Sequence, residues 1–294
     1  MAKPVAIDAT WLADHPLPDH PASADKDNRG HVLVIGGSSK VPGGLRLTGE
    51  GALRAGAGRL QFATIDSLAM ALGLAVPEAA VLPLPESPTG EIRWKATEAV
   101  AQSLERCDCI VVGPAMTDAA AADAIATAVL DTPRDDLAVV LDAAAIGSTA
   151  RDGAKLADFA GDLVMTPNRG EMARLLGAEI AEVSGDPHAA VLQAVERTGA
   201  TVILKGPCSM VATPQGELLS YPGGGVGLAT GGSGDVLAGI LGGLLARGMT
   251  VTAACAWAVW LHGEAGRLLA RDMGSIGYLA RELTALIPGL MRAS

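Results

Sequence analysis

Aromatic residues are nearly missing from this 294-residue chain: four Trp, two Tyr and two Phe make up 3% of it. A densely packed core must then come from Ala, Val, Leu and Ile, with 37 Gly permitting close backbone approach. Positive charge is also scarce. Lys and Arg number 22 against 32 Asp and Glu, a formal net charge of −10. A binder of phosphate backbones shows the opposite excess or a basic stripe, so nucleic acid is excluded as a partner. Any anionic ligand must be held by backbone N–H groups and a few local cations. Charged residues are 18% against 49% hydrophobic ones, which excludes a disordered chain. Long apolar runs are absent too. The most apolar stretches, Val236 to Ala246 and Val251 to Leu261, fall short of the ~20 residues that span a bilayer. Asp8 and Asp14 interrupt the N-terminus before a signal peptide can form, so the expected location is the cytoplasm. Four cysteines, Cys107, Cys109, Cys208 and Cys255, lack any zinc spacing and read as buried free thiols.

Several nucleotide and hydrolase motifs are missing as well. There is no G-x-x-x-x-G-K-[ST] phosphate loop and no G-x-S-x-G elbow, and Gly56-Ala-Gly58 follows a helix where a dinucleotide fingerprint follows a strand. What is present is alternation. Short apolar runs ending in glycine or a polar residue predict buried parallel strands at His31–Gly37, Arg59–Ile65, Cys109–Gly113, Ala138–Asp142, Asp162–Thr166 and Thr201–Lys205. Helical spacing between them predicts helices over 44–57, 96–105, 118–130, 169–176 and 187–198. A hairpin is expected around Pro214-Gln-Gly216, then helices over 236–247, 251–271 and 276–287. Residues 1–29, polar and rich in proline, read as a leader strapped onto the domain, with a short helix at Ala9–Asp14. Residues 30–294 read as one continuous α/β domain whose mostly parallel sheet is covered on both faces.

In such sheets ligands bind beyond the carboxyl ends of the strands. Gly36-Gly37-Ser38-Ser39, Gly113-Pro114, Asp142, Thr166-Pro167-Asn168 and Lys205-Gly206 all stand there. The strongest feature is Ala229-Thr-Gly-Gly-Ser-Gly-Asp235, followed at once by a helix with Leu237, Ile240, Leu241, Leu244 and Leu245 on one face. A glycine loop feeding a helix N-terminus offers free N–H groups and the positive end of the dipole, an anion hole that needs no lysine. Asp235 in the first turn either caps the helix or acts as a base on a hydroxyl facing the phosphate. Asn168 and Glu171 form a capping-box pair, or else Glu171 reaches Mg²⁺ through water. Lys205 at a strand end suits contact with phosphate. His262, beside Trp257 and Trp260, reads as a core or capping histidine.

Taken in order, Gly36-Gly37-Ser38, Pro42-Gly43-Gly44, Ala52-Leu-Arg-Ala-Gly-Ala-Gly58, Gly113-Pro114, Leu141-Asp142-Ala143, Thr166-Pro167-Asn168 with Gly170-Glu171-Met172, Lys205-Gly206 and Ala229-Thr-Gly-Gly-Ser-Gly-Asp-Val-Leu-Ala-Gly239 resemble the ADP/ATP-dependent NAD(P)H-hydrate dehydratases of the ribokinase-like superfamily. The resemblance runs from about Gly30 to about Leu286. It implies a ribokinase-like three-layer sandwich. It also implies a reaction: the S epimer of hydrated NADH or NADPH (NADHX or NADPHX) is phosphorylated on its ring hydroxyl by ADP or ATP, and phosphate then leaves to restore the dinucleotide. Asp235 would take the hydroxyl proton, and the amides of Gly232, Ser233 and Gly234 would hold the phosphoryl group. Lys205, Gly206, Pro207, Cys208 and Ser209, with Gly234, map onto the adenine-nucleotide segment. Gly44, Gly113, Asn168 and Asp235 map onto the dinucleotide positions. Homotetramers are common in the family. No segment matches the epimerase domain that some members carry, so action on the R epimer is not expected.

Some positions depart from the family's usual pattern. Gly44 stands where Ala is usual, Ala115-Met116 where Gly-Leu follows Gly-Pro, Ala144 where a second Asp is common, Asn168 where His often occurs, and Ser209 where Thr is usual. Two other functions share the anion hole. A kinase of a thiazole or pyrimidine alcohol would release a stable phosphorylated product, and a non-catalytic nucleotide-binding protein would have kept only the fold.

Overall fold

The computed structural model describes residues 3–19, 25, 26, 28–93, 97–131, 134–149, 156, 159 and 162–293. Residues 1, 2, 20–24 and 27 of the expected leader and Ala96 of the expected 96–105 helix lie outside them. The elements run β1 (Val5–Ala6), α1 (Ala9–Asp14), β2 (His31–Ile35), α2 (Gly44–Arg54), β3 (Arg59–Ile65), α3 (Asp66–Ala75), β4 (Ala79–Leu84), α4 (Thr97–Leu104), β5 (Cys109–Val112), α5 (Ala119–Leu130), β6 (Ala138–Leu141) and α6 (Ala144–Thr149). They continue with β7 (Asp162–Met165), α7 (Arg169–Leu176), α8 (Ile180–Gly185), α9 (Pro187–Thr198), β8 (Thr201–Leu204), β9 (Ser209–Ala212), β10 (Leu218–Tyr221), α10 (Ser233–Ala246), α11 (Val251–Met273) and α12 (Ala280–Ala293). Ten strands form one sheet in the order β1-β10-β9-β8-β7-β6-β5-β2-β3-β4. Pairing is parallel except where β9 meets β8 and β10.

Strand side chains alternate between two cores. Val32, Val34, Val111 and Val140 face one layer with Leu45, Ile240 and Leu244. Leu33, Ile35, Val112 and Leu141 face the other with Ile125, Met172 and Val191. Burial on both faces explains why these runs carry no polar alternation. At the sheet's end, β1 lies beside β10, and the Trp257 indole donates to the His15 carbonyl at 2.7 Å. Among the described residues no helix is long and apolar enough to cross a membrane.

Three expectations need correction. First, α10 is buried along nearly its whole length from Val236 to Ala246, on every face. Its glycines let neighbours press against it from both sides, so the leucine face is only half of its contact surface. A Cβ on Gly239 would stand 2.0 Å from the Thr48 carbonyl oxygen of α2, and one on Gly242 would stand 2.7 Å from Val111 of β5. Second, the last helix starts at Ala280, because Gly277 takes a φ of 109° and the Leu279 N–H donates to Glu282 Oε2 at 2.6 Å. Third, Cys208 is exposed on the turn after β8, while Cys107, Cys109 and Cys255 are buried free thiols. Between Asp66 and Leu84 a helix and an edge strand, α3 and β4, stand where no element was predicted.

The α2–α10 contact is backbone against backbone, so a single methyl tests it. Gly239→Ala should destabilise the protein by on the order of 3 kcal/mol, through forced separation of the two helices. Gly73→Ala in α3 meets only Val81 Cγ2, at 3.5 Å. It should be neutral or stabilise by up to about 1 kcal/mol. Urea unfolding of both variants measures the difference, and equal effects would reject the contact.

Candidate active site

The parallel strands deliver their carboxyl ends to one edge, and the polar groups there are wired together. Asp142 follows β6 and is 2% exposed. Its Oδ1 accepts from Thr166 Oγ1 at 2.6 Å and from Lys205 Nζ at 2.8 Å. Lys205 Nζ also lies 3.8 Å from Glu171 Oε2. Burial alone would lower the lysine's pKa, but the Asp142 and Glu171 carboxylates outweigh it and hold the ammonium above its usual range. Glu171 is raised by burial, with Lys205 opposing. The capping alternative for Asn168 and Glu171 is realised. The Asn168 N–H donates to Glu171 Oε2 at 2.8 Å, and the Glu171 N–H donates to Asn168 Oδ1 at 2.9 Å. Both arms of a capping box therefore start α7.

The N-terminus of α10 enters the same edge. Gly232 caps it with a φ of 89°, a left-handed conformation that favours glycine, and no side chain caps the helix. The Ser233 N–H donates to the Thr230 carbonyl at 3.3 Å, so that amide is engaged inside the loop. Ser233 itself is braced from α11: His262 Nε2 lies 2.8 Å from its Oγ and 3.0 Å from its carbonyl oxygen. Burial pushes His262 down to about 4, so the ring is neutral at physiological pH.

Asp235 stands in the first turn of α10 and faces α2. A Cβ on Gly44 would lie 3.5 Å from each of its carboxylate oxygens, and a Cβ on Gly234 would lie 3.3 Å from Lys205 Nζ. Asp235 is pushed up to about 7, first by burial and then by the Asp142 and Glu171 carboxylates, with Lys205 pulling the other way. Gly113 borders the same edge, where a Cβ would strike the Asp142 carbonyl oxygen at 2.0 Å.

The structure thus gathers Gly44, Gly113, Asn168, Glu171, Lys205, Gly232, Ser233, Gly234 and Asp235 along one edge. The remaining predicted residues lead outward from it. Gly206, Pro207 and Cys208 are exposed on the turn after β8, and Ser209 Oγ donates to the Gly206 carbonyl at 3.5 Å. Lys205, expected to be free for phosphate, is engaged by carboxylates. Asp142 and Thr166, marked in the sequence only as strand-end residues placed for a ligand, are the bonding partners of the site. His262 is the buried histidine the sequence suggests, and the fold adds that its ring braces Ser233. Among the described residues no three His, Cys, Asp or Glu side chains are grouped to ligate a metal directly.

A family model for NAD(P)H-hydrate dehydratase matches the chain over residues 32–289. The chain belongs to the NAD(P)H-hydrate dehydratase family. It is 41% identical to the ADP-dependent (S)-NAD(P)H-hydrate dehydratase of Xanthomonas campestris, over 97% of this chain and 95% of that protein. A bifunctional NAD(P)H-hydrate repair enzyme from Moorella thermoacetica is 34% identical over 97% of this chain, which spans 53% of that longer protein. The solved ADP/ATP-dependent NAD(P)H-hydrate dehydratase of Bacillus subtilis, co-crystallised with ATP and Mg²⁺, superposes with a TM-score of 0.85 at 27% identity, covering 99% of this chain and 98% of its own. The fold is therefore the ribokinase-like one expected from the sequence, with a mostly parallel sheet flanked by helices.

In this dehydratase-family site the raised Asp235 has a stability consequence with a definite sign. Its native pKa of about 7 lies above the ordinary carboxylate value of 3.8. Between those values the native state holds a proton that the unfolded state has released, so stability falls as pH rises from about 4 to about 7 and is flat above. Asp235→Asn removes that penalty. The variant should gain stability relative to wild type at pH 8, on the order of 2 kcal/mol, and gain little at pH 4. Tm measured at both pH values checks this; an equal difference at the two would place the titration elsewhere.

Proposed function

We propose that this chain restores NADH or NADPH from the S epimer of its hydrate, using ADP as phosphoryl donor, with ATP as the alternative. The observation that carries the reading is the Asp235 carboxylate, poised near neutrality in the first turn of a helix that no side chain caps. A base works best with a pKa close to the operating pH. Asp235 takes the proton of the ring hydroxyl as that oxygen attacks the terminal phosphorus, and the nucleotide leaves one phosphate shorter. Hydroxide is a poor leaving group and phosphate a good one. The ring nitrogen then pushes its electron pair toward the carbon that loses phosphate, and the double bond is restored as a ring proton departs.

The amides of Gly232 and Gly234 hold the transferring group, where charge spreads over its oxygens, while the Ser233 amide, expected beside them from the sequence, is committed to the Thr230 carbonyl. Gly206, Pro207, Cys208 and Ser209, with Gly234, take the adenine nucleotide, and Lys205 borders it while staying paired with Asp142. Gly44, Gly113 and Asn168, with Asp235, take the hydrated dinucleotide. Mg²⁺ favours few protein carboxylates and several waters. That fits Glu171, whose Oε2 is already committed to the Asn168 N–H and so is suited to hold the ion through water. The ion, when bound, neutralises charge on the transferring phosphate. The same reading takes residues 30–294 as one domain with residues 1–29 strapped to it. It takes the protein as a cytoplasmic homo-oligomer, a tetramer, with no nucleic-acid or membrane partner. The acidic balance of −10 supports the first of those exclusions.

Incubation with Mg²⁺, NADHX or NADPHX, and ADP or ATP in parallel is the test. Recovery of NAD(P)H absorbance with stoichiometric phosphate release is expected. A persistent phosphorylated alcohol would mean a kinase, and no turnover a binding protein. Asp235→Asn should lower kcat on the order of 10²-fold or more while nucleotide affinity stays within a few-fold. Because the base must be ionised, kcat/KM of the wild type should rise about tenfold per pH unit up to about 7 and then level. A flat profile would remove Asp235 from the base role.

A further inference from the structure

The wall beside Asp235 has room for one methyl group. Gly44 opens α2 and is buried, and a Cβ placed on it would sit in ordinary contact with both Asp235 oxygens at 3.5 Å. The same atom would stand 2.7 Å from Ala115 Cβ. Nonbonded carbons settle at roughly 3.5–4.0 Å, so methyls at 44 and 115 cannot coexist unless a backbone moves.

Neither backbone moves easily. The α2 segment lies directly on α10, where a Cβ on Gly51 would already meet the Val236 carbonyl oxygen at 2.8 Å. Ala115 is 8% exposed, in the turn that follows β5. That turn is tied down by the Gly37 N–H donating to the Pro114 carbonyl at 2.9 Å and the Met116 N–H donating to the Gly113 carbonyl at 3.1 Å. Ala115 also holds a φ of 58°, a left-handed conformation that costs an L-residue and that glycine would take freely. A side chain kept under such strain, against the helix position that faces the carboxylate, is there to fill space.

We propose that Gly44 and Ala115 are a size-complementary pair that sets the position of the Asp235 carboxylate. The methyl at 115 fills the gap beside the carboxylate, and the bare Cα at 44 leaves that methyl its place. Ala115 is a positioning residue that acts through position 44 and Asp235, while Gly44 also borders the hydrated dinucleotide in the reading above. The proposal rests on the reading of Asp235 as the base, and its packing half can be tested without that reading.

The experiment is a double-mutant cycle of Gly44→Ala, Ala115→Gly and the pair together, followed by Tm and by dehydration kinetics across pH. Gly44→Ala should lower Tm by several degrees and kcat at least tenfold, with the nucleotide KM changed less than threefold. Its pH–kcat midpoint should move away from that of the wild type. Adding Ala115→Gly should recover most of the lost Tm and kcat and return the midpoint. If Gly44→Ala does not fold, recovery of folded protein by the double variant carries the same information. Additive Tm changes, meaning that Ala115→Gly has the same effect in both backgrounds, would overturn the pair. Coupled Tm values without recovery of kcat would overturn the positioning role. A wild type that shows no dehydration would instead sink the base assignment, leaving the Tm cycle to decide the packing.

Discussion

The contact on which the site depends is the face between α2 and α10. Helices normally pack at 8–10 Å between axes, with side chains interleaved. Here Gly51, Gly239 and Gly243 remove the side chains, and carbonyl oxygens of one helix lie where the other's Cβ atoms would be, at 2.0–2.8 Å. Such a surface has no soft layer to absorb a shift. Moving α10 along its axis would carry Asp235 away from Gly44, and rotating it would drive Gly242 into Val111 of the sheet. The low aromatic content follows from the same constraint. A core built on helices this close has little use for rings, and Gly51, Gly239 and Gly243 take the place of large side chains at this contact.

Electrostatics then follow from what the close packing excludes. Asp142, Glu171 and Asp235 share an edge with one ammonium, Lys205. Lys205 bonds directly to Asp142 and leaves Asp235 with only a distant pull, which is why burial wins there and the carboxyl titrates near 7. His262 adds no positive charge, since burial keeps it neutral while it braces Ser233. With Lys205 paired and His262 neutral, the proposed site would have to hold an anion by main-chain amides.

Much of this could be seen in the sequence, and the misses have local causes. The central strands were marked by aliphatic runs that stop at a glycine or a polar residue, because both faces of those strands are buried. The edge was not so marked. β4 contains Pro83, which an edge strand tolerates, and α3 leaves Met70 and Leu74 exposed, so neither carries a clean apolar pattern. The glycine loop before α10 was legible because an anion hole is local. The Lys205–Asp142 bond was not, since it joins residues 63 apart in sequence. Gly44 and Ala115 looked like two unrelated departures from a family pattern. Only the fold shows that they meet, because one opens α2 and the other closes the turn after β5.

On the proposed assignment of Asp235 as the base, the bond between Lys205 and Asp142 also bears on how a group near pKa 7 can work beside a polyanion. At an effective dielectric of about 20, one added negative charge some 5 Å from Asp235 raises its proton affinity by about 3 kcal/mol, enough to keep it protonated at neutral pH. A bound nucleotide would therefore silence the base unless its charge were compensated closer to the phosphate than to the carboxylate. On the proposed reading the N-terminus of α10 supplies part of that compensation, roughly half a positive charge at the glycine loop, and Mg²⁺ would supply the rest. Lys205, held against Asp142 at 2.8 Å and 3.8 Å from Glu171, keeps those two acids from adding their full repulsion. A lysine freed to chase phosphate would strengthen nucleotide binding and at the same time leave Asp235 facing two unscreened carboxylates. Placing the cation among the acids and the amides at the anion lets both charges remain in one small edge of the sheet.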